Sequence, residues 1–155
     1  ICEVIDPDTG LPGDEGELVI TGLGRVGMPV IRYRTGDHVR LASGVCACGR
    51  VSRRLDGGVV GRIDDALLVR GVVVFPSAVE AIIRRFPAAG EFAIHARRQG
   101  ELDQLSVEIE ADGDTASQVS QALRETLGLR VLVAVVPQGS LPRFDLKARR
   151  VTDHR

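Results

Sequence analysis

Residues 61–80 read GRIDDALLVRGVVVFPSAVE. A Gly-Arg pair leads into two adjacent acids and an apolar run. An Arg-Gly, a second apolar run ending in Phe-Pro, and a stretch of helix formers follow. Ionised carboxylates resist burial without partners, so Asp64 and Asp65 fit poorly inside a strand. In an exposed connection they cost little. Two readings fit this local chemistry: a junction between two bodies, or a polar loop between two strands.

Upstream of the acids the chain reads as all-β. Residues 1–6 and 17–22 have strand character, separated by the turn chemistry of Pro7-Asp8-Thr9-Gly10 and Pro12-Gly13-Asp14. Residues 30–34 and 38–41 are expected to be two strands joined by a turn at Thr35-Gly36-Asp37, and 51–55 a further short strand. Downstream the character changes. Short strands at 66–69 and 72–75 flank Arg70-Gly71, and Pro76 suits the first turn of a helix. Val79, Ile82, Ile83 and Phe86 form one apolar face, stopped by Pro87. Phe92, Ile94 and Ala96 alternate, as do Leu105, Val107 and Ile109. A second helix is expected over 115–127, capped by Asp114 or Thr115 and ended by Gly128. Residues 131–136 read as a final buried strand and 137–155 as a polar tail. The fold class expected is α+β: a β-rich part over 1–63, then a two-helix α/β sandwich over 64–155.

At 155 residues the chain can bury one sizeable core or two small ones. Aromatic residues make up only 3%, so Val, Leu, Ile and Ala must fill the interior. A formal net charge of −1 supplies no field for nucleic acid or an anionic membrane. No apolar run approaches the ~20 residues of a membrane span, and no secretory leader is expected from the first residues. Three cysteines, an odd number, argue against a disulfide framework and for a reducing, cytoplasmic setting. The first residue is not Met and the chain enters strand-like sequence at once, as a piece of something longer would.

Several short motifs carry chemistry. Gly22-Leu23-Gly24-Arg25-Val26-Gly27 satisfies G-x-G-x-x-G after a strand. A dinucleotide site needs a helix immediately afterwards, and Met28-Pro29-Val30-Ile31 does not offer one. In Arg34-Thr35-Gly36-Asp37 a carboxylate follows a glycine turn. Ionised, Asp37 can accept hydrogen bonds from both hydroxyls of a ribose; a plain turn would use the same residues for backbone reasons. Cys46-Ala47-Cys48 presents two thiols that could share one zinc ion, half the donors of a structural site, with His38 the nearest further candidate. Cys2 is read as a strand residue without a chemical role.

Three ordered segments together resemble the AMP-forming adenylating enzymes, the superfamily of acyl-CoA ligases, luciferase and peptide-synthetase adenylation domains. Residues 61–80 resemble its hinge motif, and the wording of 69–77 (VRGVVVFPS) is closest to the phenylacetate-CoA ligase branch. Arg32-Tyr33-Arg34-Thr35-Gly36-Asp37 lies upstream and Leu141-Pro142-Arg143-Phe144-Asp145-Leu146-Lys147 downstream, in the family's order.

The resemblance implies that residues 1–63 end a large adenylating domain and that 64–155 form its lid, pivoting at 64–65. It implies a ribose-binding role for Asp37, a ribose and phosphate contact for Arg62, and a hinge at Asp64. Gly71 matches the glycine beside which the pantetheine arm of CoA passes. Lys147 matches the catalytic lysine, although Leu146 stands where the family has glycine. Tyr33 is read equally as a nucleotide neighbour or a sheet residue. ATP/AMP, CoA and Mg2+ follow by resemblance, with Zn2+ at Cys46 and Cys48 a further option, since the branch often carries Cys-x-Cys-Gly.

The expected reaction joins a carboxylic acid, ATP and CoA into acyl-CoA, AMP and diphosphate. The acyl pocket and phosphate loop would belong to a preceding N-terminal domain, so the chain alone is expected to be inactive. The alternative is a stand-alone α+β module that binds a small ligand or a protein.

Overall fold

The computed structural model describes residues 1–24, 26–144 and 150–155. They form two compact units, Ile1–Asp65 and Ala66–Arg155.

The first unit is a four-stranded antiparallel meander: β1 (Cys2–Ile5), β2 (Glu15–Ile20), β3 (Tyr33–Leu41) and β4 (Leu55–Arg62), paired in that order. Val4, Leu18 and Val39 are its buried cluster, with Ile20, Leu41 and Leu55 packed against them. The expected hairpin turn at Thr35-Gly36-Asp37 is instead a bulge within one continuous strand. Glu17 pairs with His38 and Val19 with Arg34, so three residues of β3 stand opposite Leu18 alone. The proposed strand over 51–55 is also corrected. The backbone at 51–54 is not in a strand, and β4 begins only at Leu55. A short 3-10 turn, Ile63–Asp65, follows β4.

So small an apolar cluster leaves room for charge pairs across β2 and β3. Glu15 pairs in register with Arg40, whose Nε and Nη2 each donate to its carboxylate at 3.0 Å, and His38 Nε2 lies 3.0 Å away. Arg40, and then His38, hold the Glu15 carboxyl down at about 2, from an ordinary 4.5. A folded-state value below the unfolded one stabilises above the unfolded value and is lost as pH falls through the folded one. The contribution is therefore complete above about pH 4.5 and fades toward pH 2. Glu15 is half exposed, so salt screens it. Glu15→Gln should lower the urea midpoint of this unit at pH 6 and converge with the parent near pH 2. Parallel curves across that range would refute the assignment.

The second unit opens with the hairpin β5 (Leu67–Val69) and β6 (Val72–Val74). Then come α1 (Pro76–Ile83), β7 (Phe92–Gln99), β8 (Leu102–Ile109), α2 (Gly113–Leu127), β9 (Leu132–Val135) and β10 (Val151–Asp153). Its main sheet has the order β10-β7-β8-β9, with the central pair antiparallel and each outer strand parallel to its neighbour. One face, Phe92, Ile94, Ala96, Leu105, Val107 and Ile109, shares a core with Val79, Ile82 and Ile83 of α1 and Ala116, Val119 and Leu123 of α2. The architecture is α+β, as the alternation of elements predicts.

Three local expectations for this unit need correction. The N-cap of α2 is Asp112, whose Oδ1 accepts from the Thr115 amide at 2.7 Å, rather than Asp114 or Thr115. Gly128 does end that helix, in the left-handed conformation (φ +63) that glycine accommodates without a Cβ clash. The apolar run over 131–136 is not a buried strand. Val131 is buried, but β9 lies at the sheet edge with Leu132 and Val135 exposed. The polar tail carries β10, which pairs in parallel with β7. No helix among the described residues is long and apolar enough to cross a membrane.

Candidate functional site

The β3 bulge is built around a buried acid. Glu17 is 5% exposed. Its carboxylate accepts from Arg34 Nε at 2.7 Å, from Arg34 Nη2, and from the Gly36 amide at 3.0 Å. Arg34 foremost, and then the Gly36 amide, hold the Glu17 carboxyl below its usual range, while burial opposes them. Thr35 Oγ1 donates to the Leu18 carbonyl at 2.9 Å and accepts from the Asp37 amide at 3.0 Å. The loop therefore has its polar groups tied down from below.

That arrangement presents Asp37 opposite Arg62, its register partner on β4. Arg62 Nη1 donates to the Thr35 carbonyl at 2.8 Å and lies 3.5 Å from Asp37 Oδ1. Its Nη2 reaches the Asp64 carboxylate at 3.2 and 3.4 Å. Gly36 has φ +73, and a Cβ there would stand 2.8 Å from Arg62 Nη2. The backbone angle favours glycine, and a side chain there would push the Arg62 guanidinium off its present position. The Asp64 carboxyl sits below its ordinary value, through its own amide and Arg62, and Asp64 in turn raises Arg62.

Asp37 and Arg62 remain 27% and 48% exposed. One offers carboxylate acceptors suited to a vicinal diol. The other offers a fork of donors suited to phosphate oxygens. Three of the residues singled out in the sequence, Asp37, Arg62 and Asp64, are brought together. Tyr33 is largely exposed rather than packed in the sheet. The bracing role of Glu17 and Arg34 beneath the bulge was not identified in the sequence. The available signal was an acid directly before the apolar run Leu18-Val19-Ile20.

Gly71 belongs to the second unit, at the tip of the β5–β6 hairpin with φ +80, and nothing lies within 4 Å of where its Cβ would be. The backbone angle alone accounts for glycine there. Lys147 lies outside the described residues, as do Asp145, Leu146, Ala148 and Arg149.

The chain on either side of that segment is anchored. Arg143 Nη2 donates to Glu110 Oε2 at 2.7 Å, and Glu110 Oε1 accepts from the Leu141 amide at 3.0 Å. Arg150 pairs with Glu91 and with Glu80 (3.3 Å), and its guanidinium lies 5.1 Å from the centre of the Phe92 ring. The Glu110 carboxyl is held low by the Leu141 amide foremost, and the Glu91 carboxyl by Arg150. Within the stretch read as a polar tail, Arg150 is mostly buried.

Cys46 and Cys48 place their sulfurs 3.0 Å apart in a turn closed by the Gly49 amide donating to the Cys46 carbonyl at 2.9 Å. The hydrogen bond from Cys46 foremost lowers the Cys48 thiol. Among the described residues no group of three or more His, Cys, Asp or Glu is gathered for a metal, and His38 is engaged by Glu15. Two thiols alone fall short of the four donors of a structural zinc site. After the G-x-G-x-x-G stretch, the described residues 26–32 contain no helix, in keeping with its rejection as a dinucleotide site.

Comparison with known proteins bears on both units. Residues 71–155 match the model of the AMP-binding enzyme C-terminal domain. The chain is 36% identical over 181 residues to the phenylacetate-coenzyme A ligase of Thermus thermophilus, covering 99% of this chain and 40% of that protein. Among solved structures it is similar to 2-hydroxyisobutyryl-CoA ligase in the postadenylation state in complex with R3-HIB-AMP. That likeness has a TM-score of 0.80 and 32% identity over 99% of this chain and 36% of the other. It is also similar to the same ligase with 2-HIB-AMP and CoA in the thioesterification state, with a TM-score of 0.56 and 32% identity over 98% and 35%. The chain thus spans about 40% of the length of the curated relative. It belongs to the AMP-binding enzyme C-terminal domain family, within the phenylacetate-CoA ligase-like branch of the AMP-forming adenylating enzymes.

Proposed function

We propose that this chain is the nucleotide-clasping edge and the lid of an AMP-forming acyl-CoA ligase. The observation that carries the reading is the pairing of Asp37 with Arg62 across a bulge held from below by Glu17. Asp37 accepts hydrogen bonds from the two ribose hydroxyls of ATP, and Arg62 turns its fork toward the ribose and phosphate. Two steps follow. An acid's carboxylate oxygen attacks the α-phosphorus of ATP, forming an acyl-adenylate and releasing diphosphate. The thiol of CoA then attacks the acyl carbonyl, transferring its proton to solvent as AMP leaves. Mg2+ travels with the phosphates of ATP, as it commonly does where carboxylates are few.

Between the steps the lid turns about Asp64. Lys147 serves the first step by neutralising charge on the α-phosphate and carboxylate, and the Gly71 tip serves the second by letting the pantetheine arm pass close. Support for two states comes from the related ligase solved in postadenylation and thioesterification states. The acid's pocket and the phosphate loop belong to the large N-terminal domain of such an enzyme, so the chain alone forms no acyl-CoA. A cytoplasmic setting, where ATP and CoA are both present, suits this reaction.

Asp37→Ala in a ligase carrying this chain should raise KM for ATP by roughly tenfold or more, since charge-assisted hydrogen bonds contribute about 1.5–3 kcal/mol each. The KM for CoA should stay within about twofold. An unchanged KM for ATP would remove the basis of this reading.

A further inference from the structure

The main sheet of the second unit ends on two unlike edges. At one, β10 carries Asp153, whose carboxylate is held by Arg155 at 2.7 Å. Charge on an edge strand discourages pairing with another chain. At the other, β9 is Leu-Val-Ala-Val without a charge, and Leu132 and Val135 are 41% and 50% exposed.

The backbone of β9 is directed outward at defined positions. The strand runs parallel to β8, and the Val136 amide donates to the Ile109 carbonyl at 2.9 Å. Polar groups of successive residues turn to opposite sides of a strand. Those of Leu132, Ala134 and Val136 therefore face β8, and those of Val133 and Val135 face away from the sheet. Beside this edge, Ser117, Ser120 and Gln121 of α2 border a groove of about 560 Å³ with Val133 and Val135. These α2 side chains are short or flexible, so a further strand can reach the edge.

Helix α2 carries one charge of each sign along this side. Asp114 lies in its first turn and Arg124 in its last. Arg124 borders the groove, and Asp114 stands one turn before Ser117 on the same side. Neither has an ion pair with a described residue.

We propose that this edge is an interaction surface for a second copy of this chain, with β9 of one copy antiparallel to β9 of the other. The two-fold axis passes between the two Ala134 residues. Val133 of each copy then stands opposite Val135 of the other, and each such pair exchanges both of its outward backbone hydrogen bonds. The same axis sets the first turn of one α2 beside the last turn of the other. Asp114 of each copy meets Arg124 of its neighbour, and the helix dipoles oppose. A parallel pairing would set acid against acid and arginine against arginine, so the charge pattern selects the two-fold arrangement. The pairing holds whether or not the first unit clasps a nucleotide.

The test is sedimentation equilibrium of the protein from about 1 to about 500 micromolar, a range suited to a small interface. The parent, Val135→Pro, Asp114→Arg, Arg124→Asp and the double charge reversal are compared. Proline at 135 removes an outward amide and leaves the bonds to β8 in place. The parent should show a monomer–dimer equilibrium. Val135→Pro and each single reversal should raise the dimer dissociation constant by about tenfold or more. The double reversal should return to within about threefold of the parent, because each new arginine meets a new aspartate. Circular dichroism should show parental helix content in every variant at the temperature of the measurement. A parent that is monomeric throughout would overturn the proposal, as would a dimer unaffected by Val135→Pro. So would a double reversal no tighter than the single ones. Should Val135→Pro fail to fold, the charge series decides alone, rescue upholding the pairing and its absence refuting it.

Discussion

Lys147→Ala, made in a ligase that carries this chain, slows acyl-adenylate formation by at least about 100-fold and leaves thioester formation from supplied adenylate within about threefold. The size follows from removing one positive charge placed against developing negative charge, an effect of roughly 2.7–4 kcal/mol where single stabilising groups have been deleted. The asymmetry follows from the proposed division of labour, in which the lysine serves one half-reaction and the Gly71 tip the other. The anchors on either side give the experiment a control. Arg143 is held by Glu110 and Arg150 by Glu91, and neither pair is altered by the substitution. Diphosphate release and thioester formation are measured separately. Equal loss in both steps would show that the change acts on the fold or on a shared step. Lys147→Arg should recover part of the first step, because charge is kept while reach and geometry differ.

Gly16→Ala should unfold the β1–β2 edge. Gly16 has φ +150, and a Cβ there would stand 2.1 Å from the Ile5 carbonyl oxygen and 2.8 Å from its carbon. Both are backbone atoms in a paired strand, so neither can swing aside. The strands must separate locally, at a cost of about 3 kcal/mol or more on top of the unfavourable torsion. Because the next residue is Glu17, the brace beneath Asp37 and Arg62 should loosen with it. Amide exchange at Val4 and Leu18, together with the melting temperature, reads the effect. Protection like that of the parent would refute the clash.

The larger elements were legible because their signals are local. Helix α1 is announced by Pro76 and the spacing of Val79, Ile82 and Ile83, and β7 and β8 by strict alternation of residues that become one buried face. The misses share a different cause. Thr35-Gly36-Asp37 has the chemistry of a hairpin turn and of a bulge alike, and only the pairing of β2 against both sides distinguishes them. Asp112, Asp114 and Thr115 can all cap a helix, and the path of the chain selects the first. The run Val-Leu-Val-Ala-Val-Val looks interior, yet an edge strand with one covered face needs the same residues. Strand β10 is three residues long and has no pattern of its own.

Of the candidate site, Asp37 and Arg62, the residues proposed to face the nucleotide, were singled out by resemblance. The acids that support other residues were not. Glu17, Glu91 and Glu110 are buried because arginines distant in sequence meet them, a relation that no window of neighbouring residues contains.

The pairing of Val151 with Ile94 joins positions 57 residues apart. On a ribosome, the second unit's sheet must wait for some of the last residues of this sequence before its outer strand can dock. Until then the flank of β7 is an open template for another molecule's backbone. Contacts this distant in sequence slow folding.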